Sequence, residues 1–376
     1  MTGLALKTLI YDWRRFAPAM IAVAFSGVLV LLQAGLILGI FSLSSQYVTR
    51  SSADLWIGYP GVQSLDLGRP MSGPAEAFAW MNPRVRRLEP FLWGSGEWRT
   101  HSQGMVNVYI VGVQPGPDGM ALAGALSATE RAALDEPDGV LVDSADLHKL
   151  QVKRGEAAEI NGRLVRVVGV THGLRALGGV NVIASLATTH RLDPAAGPNG
   201  RVAYLLAKLD SPLATQAVAA SLNSTGAARG FEALSARDFA RRTTLYWLVE
   251  SGAGVAFLFG SLVAVLVAAV ITSQTLSAAV AGSLKEYAAL RALGFSMPVL
   301  RRIVVAQSAW VGAAGLAVAG VLTAILVALA AAGAAPLVLT PVMILVAAAL
   351  IMLTALLSGV LAVRRVGQAD PAALLL

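Results

Sequence analysis

Residues 303–363 contain no charged side chain, and this run constrains the fold more than any other feature of the chain. The weak break Gly333-Ala334-Ala335-Pro336 divides it. About 20 apolar residues are needed to cross roughly 30 Å of hydrocarbon, so the run has room for two spans and a tight turn. A charge at mid-bilayer costs about 2.5–3.5 kcal/mol on insertion scales. Two more charge-free runs, 16–49 and 251–284, bring the predicted number of spans to four.

The predicted fold is therefore an integral membrane, α-helical protein with four transmembrane helices. A mixed α/β extracytoplasmic domain is inserted between helices 1 and 2. The predicted segments are an interfacial helix at 1–16, transmembrane helices at 17–41, 244–272, 303–329 and 337–363, an extracytoplasmic domain at 42–243, a cytoplasmic coupling loop at 273–302, a short extracytoplasmic turn at 330–336 and a cytoplasmic tail at 364–376.

The positive charges indicate how the chain is oriented. It is 56% hydrophobic and only 14% charged, against about 25% charged residues in a soluble domain. Short cytoplasmic flanks carry an excess of Lys and Arg, so the N-terminus, the 273–302 loop and the C-terminus are predicted to be cytoplasmic. Because the excess charge lies beside spans, we expect no nucleic-acid partner. The flanking cations are Lys7, Arg14, Arg15, Lys285, Arg291, Arg301, Arg302, Arg364 and Arg365.

The N-terminal residues have an amphipathic pattern opposite Lys7 and Arg14. This pattern favours a short helix in the membrane interface, with Trp13 at headgroup depth and the cations toward lipid phosphates. The same pattern also suits a helix that simply extends the first span. The apolar residues at helical spacing are Leu6, Leu9, Ile10, Trp13 and Phe16.

The long insert has the alternating pattern of a folded domain. Strand-like runs are separated by turn signals. Asn161-Gly162 is a strong hairpin turn between two of them. Asp143-Ser144 begins a short predicted helix that ends near Leu150, and a second helix is predicted at 212–222. The predicted strands lie at 53–59, 106–113, 139–142, 158–160, 164–170, 180–184 and 202–209.

Common catalytic signatures are missing from the sequence. No Lys follows a Gly, so a G-x-x-x-x-G-K-[ST] nucleotide loop is absent. There is no Cys, which excludes disulfides and thiolate chemistry. The four His residues, His101, His148, His172 and His190, are scattered without metal-ligand spacing. We therefore expect no catalytic residue, no cofactor and no metal site in this chain.

The predicted spans contain only mildly polar residues. Groups of this kind usually join helices through hydrogen bonds of about 0.6 kcal/mol each. Gln33 is also a candidate for substrate contact. No intramembrane Asp, Glu, Lys or Arg is present as a proton or ion relay, which argues against an ion-driven transporter. The polar residues are Gln33, Ser261, Thr323, Thr354 and Ser358.

The most informative motif follows the second predicted span. On a helix, Glu286, Leu290 and Leu293 fall at i, i+4 and i+7 and form one stripe, with Lys285 and Arg291 off it. Gly294 is a natural helix stop, because glycine suits the position just beyond a helix end. Such a helix is suited to docking in a partner's groove. It is equally compatible with a span extension whose charges only anchor its end.

The segment from Glu286, E-x-x-x-L-R-A-L-G, resembles the signature of the FtsX-like, or MacB-like, ABC transporter permeases. The topology is similar, with one span, a large outer domain and three further spans. The tail Asp370-Pro371-Ala372-Ala373-Leu374 resembles the family's P-x-x-A-L ending. Residues 139–150 with Arg154-Gly155, and 161–170, resemble a stretch of its outer domain. Trp13-Arg14-Arg15 and the length are most similar to the DevC subgroup, whose members work with an HlyD-like adaptor.

The resemblance implies a function. A type VII (MacB/DevC-like) permease is a homodimer that binds two copies of a separate ABC ATPase in a 2:2 complex. The partner binds ATP and Mg and supplies the ATPase activity. Movement reaches the outer domain by mechanotransmission, and a lipid-like or amphipathic substrate is extracted or exported, with efflux through an HlyD-like periplasmic adaptor and an outer-membrane channel in some systems. The implied location is the bacterial inner (cytoplasmic) membrane, as a multi-pass protein in contact with membrane lipids.

The resemblance also implies which residues couple the permease to its ATPase. These are Lys285, Glu286, Leu290, Arg291, Leu293 and Gly294. Relatives often have several basic residues before the Glu, whereas Lys285 alone precedes it here. The residues that bind substrate are not identified by the sequence.

Two other functions remain open. The first is an FtsX-type signal transmitter, which activates an extracytoplasmic cell-wall hydrolase and transports nothing. An outer domain of about 200 residues is large for that role. The second is a membrane-anchored enzyme or sensor, which has no catalytic constellation in its favour.

Overall fold

The structure is a computed structural model that describes residues 11–71, 74–283, 286, 289–291, 293–332 and 337–368. The chain divides into two units. One is formed by residues 1–39 and 256–376, and the other by residues 40–255. Among these described residues, four helices are long and apolar enough to cross a membrane. They are α1 (Trp13–Thr49), α8 (Gly252–Gly282), α9 (Met297–Ala332) and α10 (Pro341–Gln368).

The helical unit is held together by a core of small and aliphatic side chains around the buried ring of Phe16. Close approach of helices explains two of its glycines. A Cβ added at Gly27 of α1 would lie 2.7 Å from the Cβ of Ala319, and one added at Gly315 of α9 would lie 2.6 Å from the Cβ of Val23. Side chains larger than hydrogen at these positions would push α1 and α9 apart, which matches the preference for small residues where membrane helices pack.

The described residues of the second unit form nine strands and several short helices. The strands are β1 (Leu55–Gly58), β2 (Val85–Arg99), β3 (Met105–Val113), β4 (Gly139–Asp143), β5 (Ala157–Ile160), β6 (Arg163–Thr171), β7 (Val180–Ser185), β8 (Tyr204–Leu209) and β9 (Glu232–Ser235). The helices are α2 (Ala75–Met81), α3 (Ala128–Ala133), α4 (Leu147–Leu150), α5 (Leu186–Leu192), α6 (Thr215–Gly226) and α7 (Ala236–Leu245). The mixed α/β domain therefore lies in the chain between the first and second long helices.

The long strand β2 joins two sheets. Its second half pairs with β3 and its last residues pair with β5, which closes a barrel in the order β3-β7-β4-β6-β5-β2. Its first half pairs with β8 and extends the sheet through β1 to β9. The barrel strands alternate inward and outward, so that Val140 and Val142 face one core while Leu141 faces another. Both faces of β4 are therefore buried, and its sequence shows an unbroken apolar run rather than alternating apolar and polar residues.

The residues just before α8 do not continue its α-helix. Tyr246–Glu250 form one π-helical turn, and Ser251 has extended backbone with ψ 141°. The long helix therefore begins at Gly252, whereas the sequence places the second span from residue 244. Helices α1 (Trp13–Thr49) and α9 (Met297–Ala332) extend beyond both ends of the predicted spans at 17–41 and 303–329, whereas α10 begins at Pro341 rather than at residue 337. Residues 1–10, where most of the amphipathic N-terminal pattern falls, lie outside the described part of the chain.

Candidate functional site

The predicted coupling segment lies between α8 and α9 and is built around a defined helix end. Glu286, Leu290, Arg291, Leu293 and Gly294 are described, whereas Lys285 lies outside the described residues. Glu286 and residues 289–291 are helical. Of the five described positions, Glu286, Leu290 and Arg291 are helical, and Leu293 and Gly294 lie in a turn.

Gly294 terminates this stretch by adopting a left-handed conformation with φ +92°. The N–H of Phe295 donates to the carbonyl of Leu290 at 3.1 Å, and the N–H of Gly294 donates to that of Arg291 at 2.9 Å. These two bonds are the Schellman pattern, in which a glycine in the left-handed region lets the chain reverse after the last turn. Gly294 therefore has a local structural reason, which is to end the helix and redirect the chain toward α9.

Glu286 does not project freely from the helix. Its Oε1 lies 2.6 Å from an Nη1 of Arg15 on α1, and the same nitrogen donates to the Ser283 hydroxyl at 3.0 Å. A Cβ added at Gly282 would lie 3.1 Å from Arg15 Nε, so the guanidinium crosses the end of α8 where glycine leaves room for it. Arg15, Ser283 and Glu286 form a polar contact that ties the coupling segment to the first helix.

The two leucines of the predicted stripe differ in exposure. Leu290 is half-buried and packs against the cluster of Val280, Leu300 and Val304. Leu293 is 76% exposed, and Phe295 beside it is also exposed. The stripe therefore divides into an internal contact at Leu290 and an apolar surface at the helix end. An exposed leucine and phenylalanine next to a cationic flank are suited to insertion into a partner's groove.

The polar residues of the long helices mostly contact one another or their own backbone. Gln33 Nε2 donates to the Ser261 hydroxyl at 3.2 Å, which joins α1 to α8. The Ser26 hydroxyl contacts Thr272 Oγ1 and the carbonyl of Ala268, both at 3.2 Å. These contacts are of the helix-joining kind expected for such residues in a bilayer. Among the described residues, no group of three His, Cys, Asp or Glu is placed to hold a metal ion.

Sequence reasoning did not identify Arg15 or Ser283 as part of this site. Arg15 was expected to flank the first span and to form part of the DevC-like N-terminal motif, and nothing in its local pattern points to a residue 271 positions away. One signal was available. Arg15 is a cation near the start of the first span, and Glu286 is an acidic residue just after the second, so helices of similar length bring both to the same side of a membrane.

Family models match most of the chain. The model of the FtsX-like permease C-terminal region matches residues 258–371, which include the coupling segment. The model of the MacB-like periplasmic core domain matches residues 16–225, more than half of the chain. No curated protein matches the sequence.

Solved structures of outer domains are also similar to this chain. The periplasmic region of MacB from Actinobacillus actinomycetemcomitans is 13% identical, with a TM-score of 0.35, over 52% of this chain and 94% of that one. The extracellular domain of the noncanonic ABC-type transporter YknZ from Gram-positive bacteria is 10% identical, with a TM-score of 0.31, over 48% of this chain and 99% of that one.

Proposed function

Because the chain belongs to the FtsX-like and MacB-like family of ABC permeases, we propose that it couples a separate ATPase to export or extraction of an amphipathic substrate. As a member of this family, the chain is the membrane subunit of a transporter, and it carries an extracellular-type domain between its first two apolar helices. The finer proposal is a type VII, MacB/DevC-like exporter in a bacterial inner membrane. Its substrate is lipid-like or amphipathic and moves through the action of the outer domain.

The orientation in this proposal follows from the flanking cations. Arg14 and Arg15 lie in the first turn of α1, while Arg301 and Arg302 lie in the first turns of α9. Short segments rich in Lys and Arg stay in the cytoplasm. The coupling segment would then face the ATPase, and both termini would lie on the same side. The domain between α1 and α8 would lie outside the cell membrane.

The single observation that carries the coupling role is the contact of Arg15 with Glu286. A push on the coupling segment would act on α8 through the chain and on α1 through this ion pair. Both helices continue along the sequence into the outer domain, since α1 reaches Thr49 and α8 follows directly on residues 246–251. Mechanotransmission needs such a path from the cytoplasmic side to the outside, and two helices rather than one would move together.

The partner set is part of the same proposal. Two copies of this chain would bind two copies of an ABC ATPase, which holds ATP and Mg. An adaptor and an outer-membrane channel would extend the path where the cell has an outer membrane. Leu293 and Phe295 are the surface offered to the ATPase, because they are the exposed apolar side chains at the helix end.

The experiment compares the permease alone, the permease with its ATPase, and two leucine variants. The purified chain should hydrolyse no ATP by itself and should form an active 2:2 complex with the ATPase. Leu293→Asp puts a charge into the proposed apolar contact and should weaken the complex at least tenfold, since each 1.4 kcal/mol lost is a factor of ten in affinity.

Leu213→Asp is the matched control, because Leu213 is 96% exposed and lies in the outer domain. It should leave the complex intact. ATP hydrolysis by the pure chain, or equal complex formation by both variants, would contradict the proposal.

A further inference from the structure

A long apolar groove runs between α1 and α9. Both of its walls belong to the unit of residues 1–39 and 256–376. The groove has a volume of about 540 Å³, within the roughly 300–1,000 Å³ of pockets that bury a small ligand. Ile21 and Phe25 in its wall are more than half exposed, so the groove is open along its side. The side chains that define its course are Trp13, Ala17, Ile21 and Val28 of α1 and Val318 and Leu326 of α9.

The two walls of this groove are fixed against each other. A Cβ added at Gly27 of α1 would lie 2.7 Å from Ala319, and one added at Gly315 of α9 would lie 2.6 Å from Val23. Small residues of this kind let the backbones of two membrane helices approach closely. The close approach of α1 to α9 therefore sets the width of the groove.

The groove has the length of one acyl chain. The rise of about 1.5 Å per residue puts about 22 Å between the levels of Trp13 and Val28 on α1. The hydrocarbon of one leaflet is about half of the roughly 30 Å core of a bilayer. One acyl chain of one leaflet therefore fits lengthwise along the groove.

Binding of an acyl chain alone would not distinguish one lipid from another. The lining side chains are all apolar or aromatic. Because the surrounding lipid tails are equally apolar, moving a tail into the groove has no hydrophobic driving force. Selectivity must come from a group at the end of the groove that meets the headgroup.

Arg14 stands at that end of the groove. Ile21 and Phe25 follow it by about two and three turns at 3.6 residues per turn, so the three side chains leave α1 on the same face. The guanidinium carbon of Arg14 lies 5.9 Å from the ring centroid of Trp13, which lines the end of the groove. Tryptophan is enriched at headgroup depth, so this pair lies at the level of the lipid phosphates.

The charge of Arg14 is available to a ligand. Its side chain is exposed, and no ion pair among the described residues includes it, not even with the nearby Asp12. Its neighbour Arg15, by contrast, is paired with Glu286. A guanidinium matches the geometry of phosphate oxygens and binds them through two parallel hydrogen bonds.

We propose that the α1–α9 groove binds an anionic phospholipid, with one acyl chain along the groove and the phosphate on Arg14. A negative headgroup is favoured because a cation near the membrane surface attracts anionic lipid more than zwitterionic lipid. Arg15, which joins α1 to the coupling segment, is the next residue, so the bound headgroup lies beside that contact. That the leaflet is the cytoplasmic one rests on the proposed orientation, whereas lipid binding does not.

The test is native mass spectrometry of the full-length permease in a neutral detergent, without the ATPase. The protein is titrated with dioleoyl-phosphatidylglycerol or with dioleoyl-phosphatidylcholine. These lipids have the same chains and a phosphate each, and they differ in net charge. We expect one phosphatidylglycerol per chain, bound about fivefold or more tightly than phosphatidylcholine.

Two arginine variants test the headgroup contact. Arg14→Gln should reduce the preference for phosphatidylglycerol to less than about twofold, because the cation at the groove is gone. Arg302→Gln is the matched control. Arg302 is an exposed cation in the first turns of α9, but it precedes Val318 by about four and a half turns and so lies on the opposite side of that helix. It should keep the preference of the wild type.

Two tryptophan variants test the acyl-chain contact. Ala17→Trp fills the groove and should weaken the binding of both lipids several-fold. Val346→Trp is the control, because Val346 is 63% exposed on α10 and does not line the groove. It should bind both lipids as the wild type does. Arg14→Gln keeps the result decisive if Ala17→Trp fails to fold, since Arg14 is exposed.

Equal affinity of the wild type for the two lipids would overturn the proposal. So would an equal loss of preference in Arg14→Gln and Arg302→Gln, or unchanged binding by a folded Ala17→Trp protein. A second copy of the chain is the other candidate occupant, and Ile21→Cys tests it in this Cys-free chain. Disulfide-linked dimers after mild oxidation in membranes would show that a second copy covers the groove, whereas we expect none. Since no ATPase is present, these failures would leave the proposed coupling function untouched.

Discussion

Arg15 and Glu286 are 271 residues apart in the sequence, yet Arg15 Nη1 lies 2.6 Å from Glu286 Oε1. Their side chains are 34% and 46% exposed. Exposed pairs of this kind contribute about 0–1 kcal/mol to stability, because solvent screens the charges and two long side chains lose freedom. The contact therefore matters for the arrangement of the helices rather than for stability. It joins the start of the first long helix to the segment that follows the second.

Charge substitutions at this pair should separate coupling from stability. Arg15→Glu and Glu286→Arg, each alone, should reduce ATP-dependent function several-fold while the thermal midpoint moves by no more than about 2 °C. The double variant restores opposite charges and should recover part of the function. Activity of the ATPase complex and thermal unfolding of each variant are the measurements. A double variant no better than either single one would show that the ion pair carries no coupling.

The two leucines of the coupling segment should behave differently in stability measurements. Leu290→Asp places a charge against Val280, Leu300 and Val304 and should lower the thermal midpoint, since a half-buried apolar contact is lost and a charge is partly desolvated. Leu293→Asp should leave the midpoint unchanged, because that side chain is mostly exposed. Thermal unfolding in detergent checks both variants. Equal destabilisation by the two would contradict the packing assigned to Leu290.

The orientation can be tested with single cysteines in this Cys-free chain. Ser221 on α6 and Ser296 before α9 are both exposed and suit the purpose. Two other serines on the same two sides are unsuitable for labelling. Ser283 is buried, and the side chain of Ser127 caps α3. With an impermeant thiol reagent on intact cells, Ser221→Cys should react and Ser296→Cys should not. After the cells are lysed both should react. Equal labelling of both on intact cells would reverse the orientation argument.

Acid should destabilise the outer domain through Glu232. Burial alone would raise the pKa of Glu232, but hydrogen bonds from Arg242 and from the N–H of Gly61 lower it below its ordinary value. A carboxyl group with a lowered pKa in the folded state stabilises the fold above its unfolded pKa of about 4.3, and this contribution is lost as pH falls through the lowered value.

The measurement is the thermal midpoint of the full chain between pH 3 and pH 7. The wild type should lose stability below about pH 4, within the range set by the unfolded pKa. Glu232→Gln should be less stable at pH 7 and should show a flatter decline in acid. If the thermal midpoint of Glu232→Gln fell in parallel with that of the wild type, Glu232 would not contribute to the loss of stability in acid.

Much of the outer domain was predictable from local patterns, but β2 was not. Residues 85–99 contain Pro90, Gly94 and Gly96, which read as turn signals. In the structure these glycines allow close approach instead. A Cβ at Gly94 would lie 2.9 Å from Asp193 Oδ2, and one at Gly96 would lie 2.9 Å from Ile160 Cγ2. The role of a strand glycine depends on what packs on it, and that is set by distant parts of the chain.

The coupling segment, too, was predictable from the sequence only in part. Gly294 was predictable as a helix stop, because a left-handed residue after a helix is a local requirement that glycine meets. The split between Leu290 and Leu293 was not, since both occupy the same stripe of an isolated helix. Only the packing of Val280, Leu300 and Val304 against Leu290 distinguishes them. The groove between α1 and α9 was likewise invisible, because its two walls come from helices far apart in the sequence.

The sequence by itself determined the four apolar helices, the mixed α/β insertion between the first two and the family resemblance. Each depends on properties of short segments, chiefly the cost of placing a charge in hydrocarbon and the 3.6- and 2-residue periods of helices and strands. The tertiary structure decided the contact of Arg15 with Glu286, the closure of the barrel by β2 and the groove between α1 and α9. These depend on the distance in space between residues far apart in the chain, which packing and strand register set and which no local period contains.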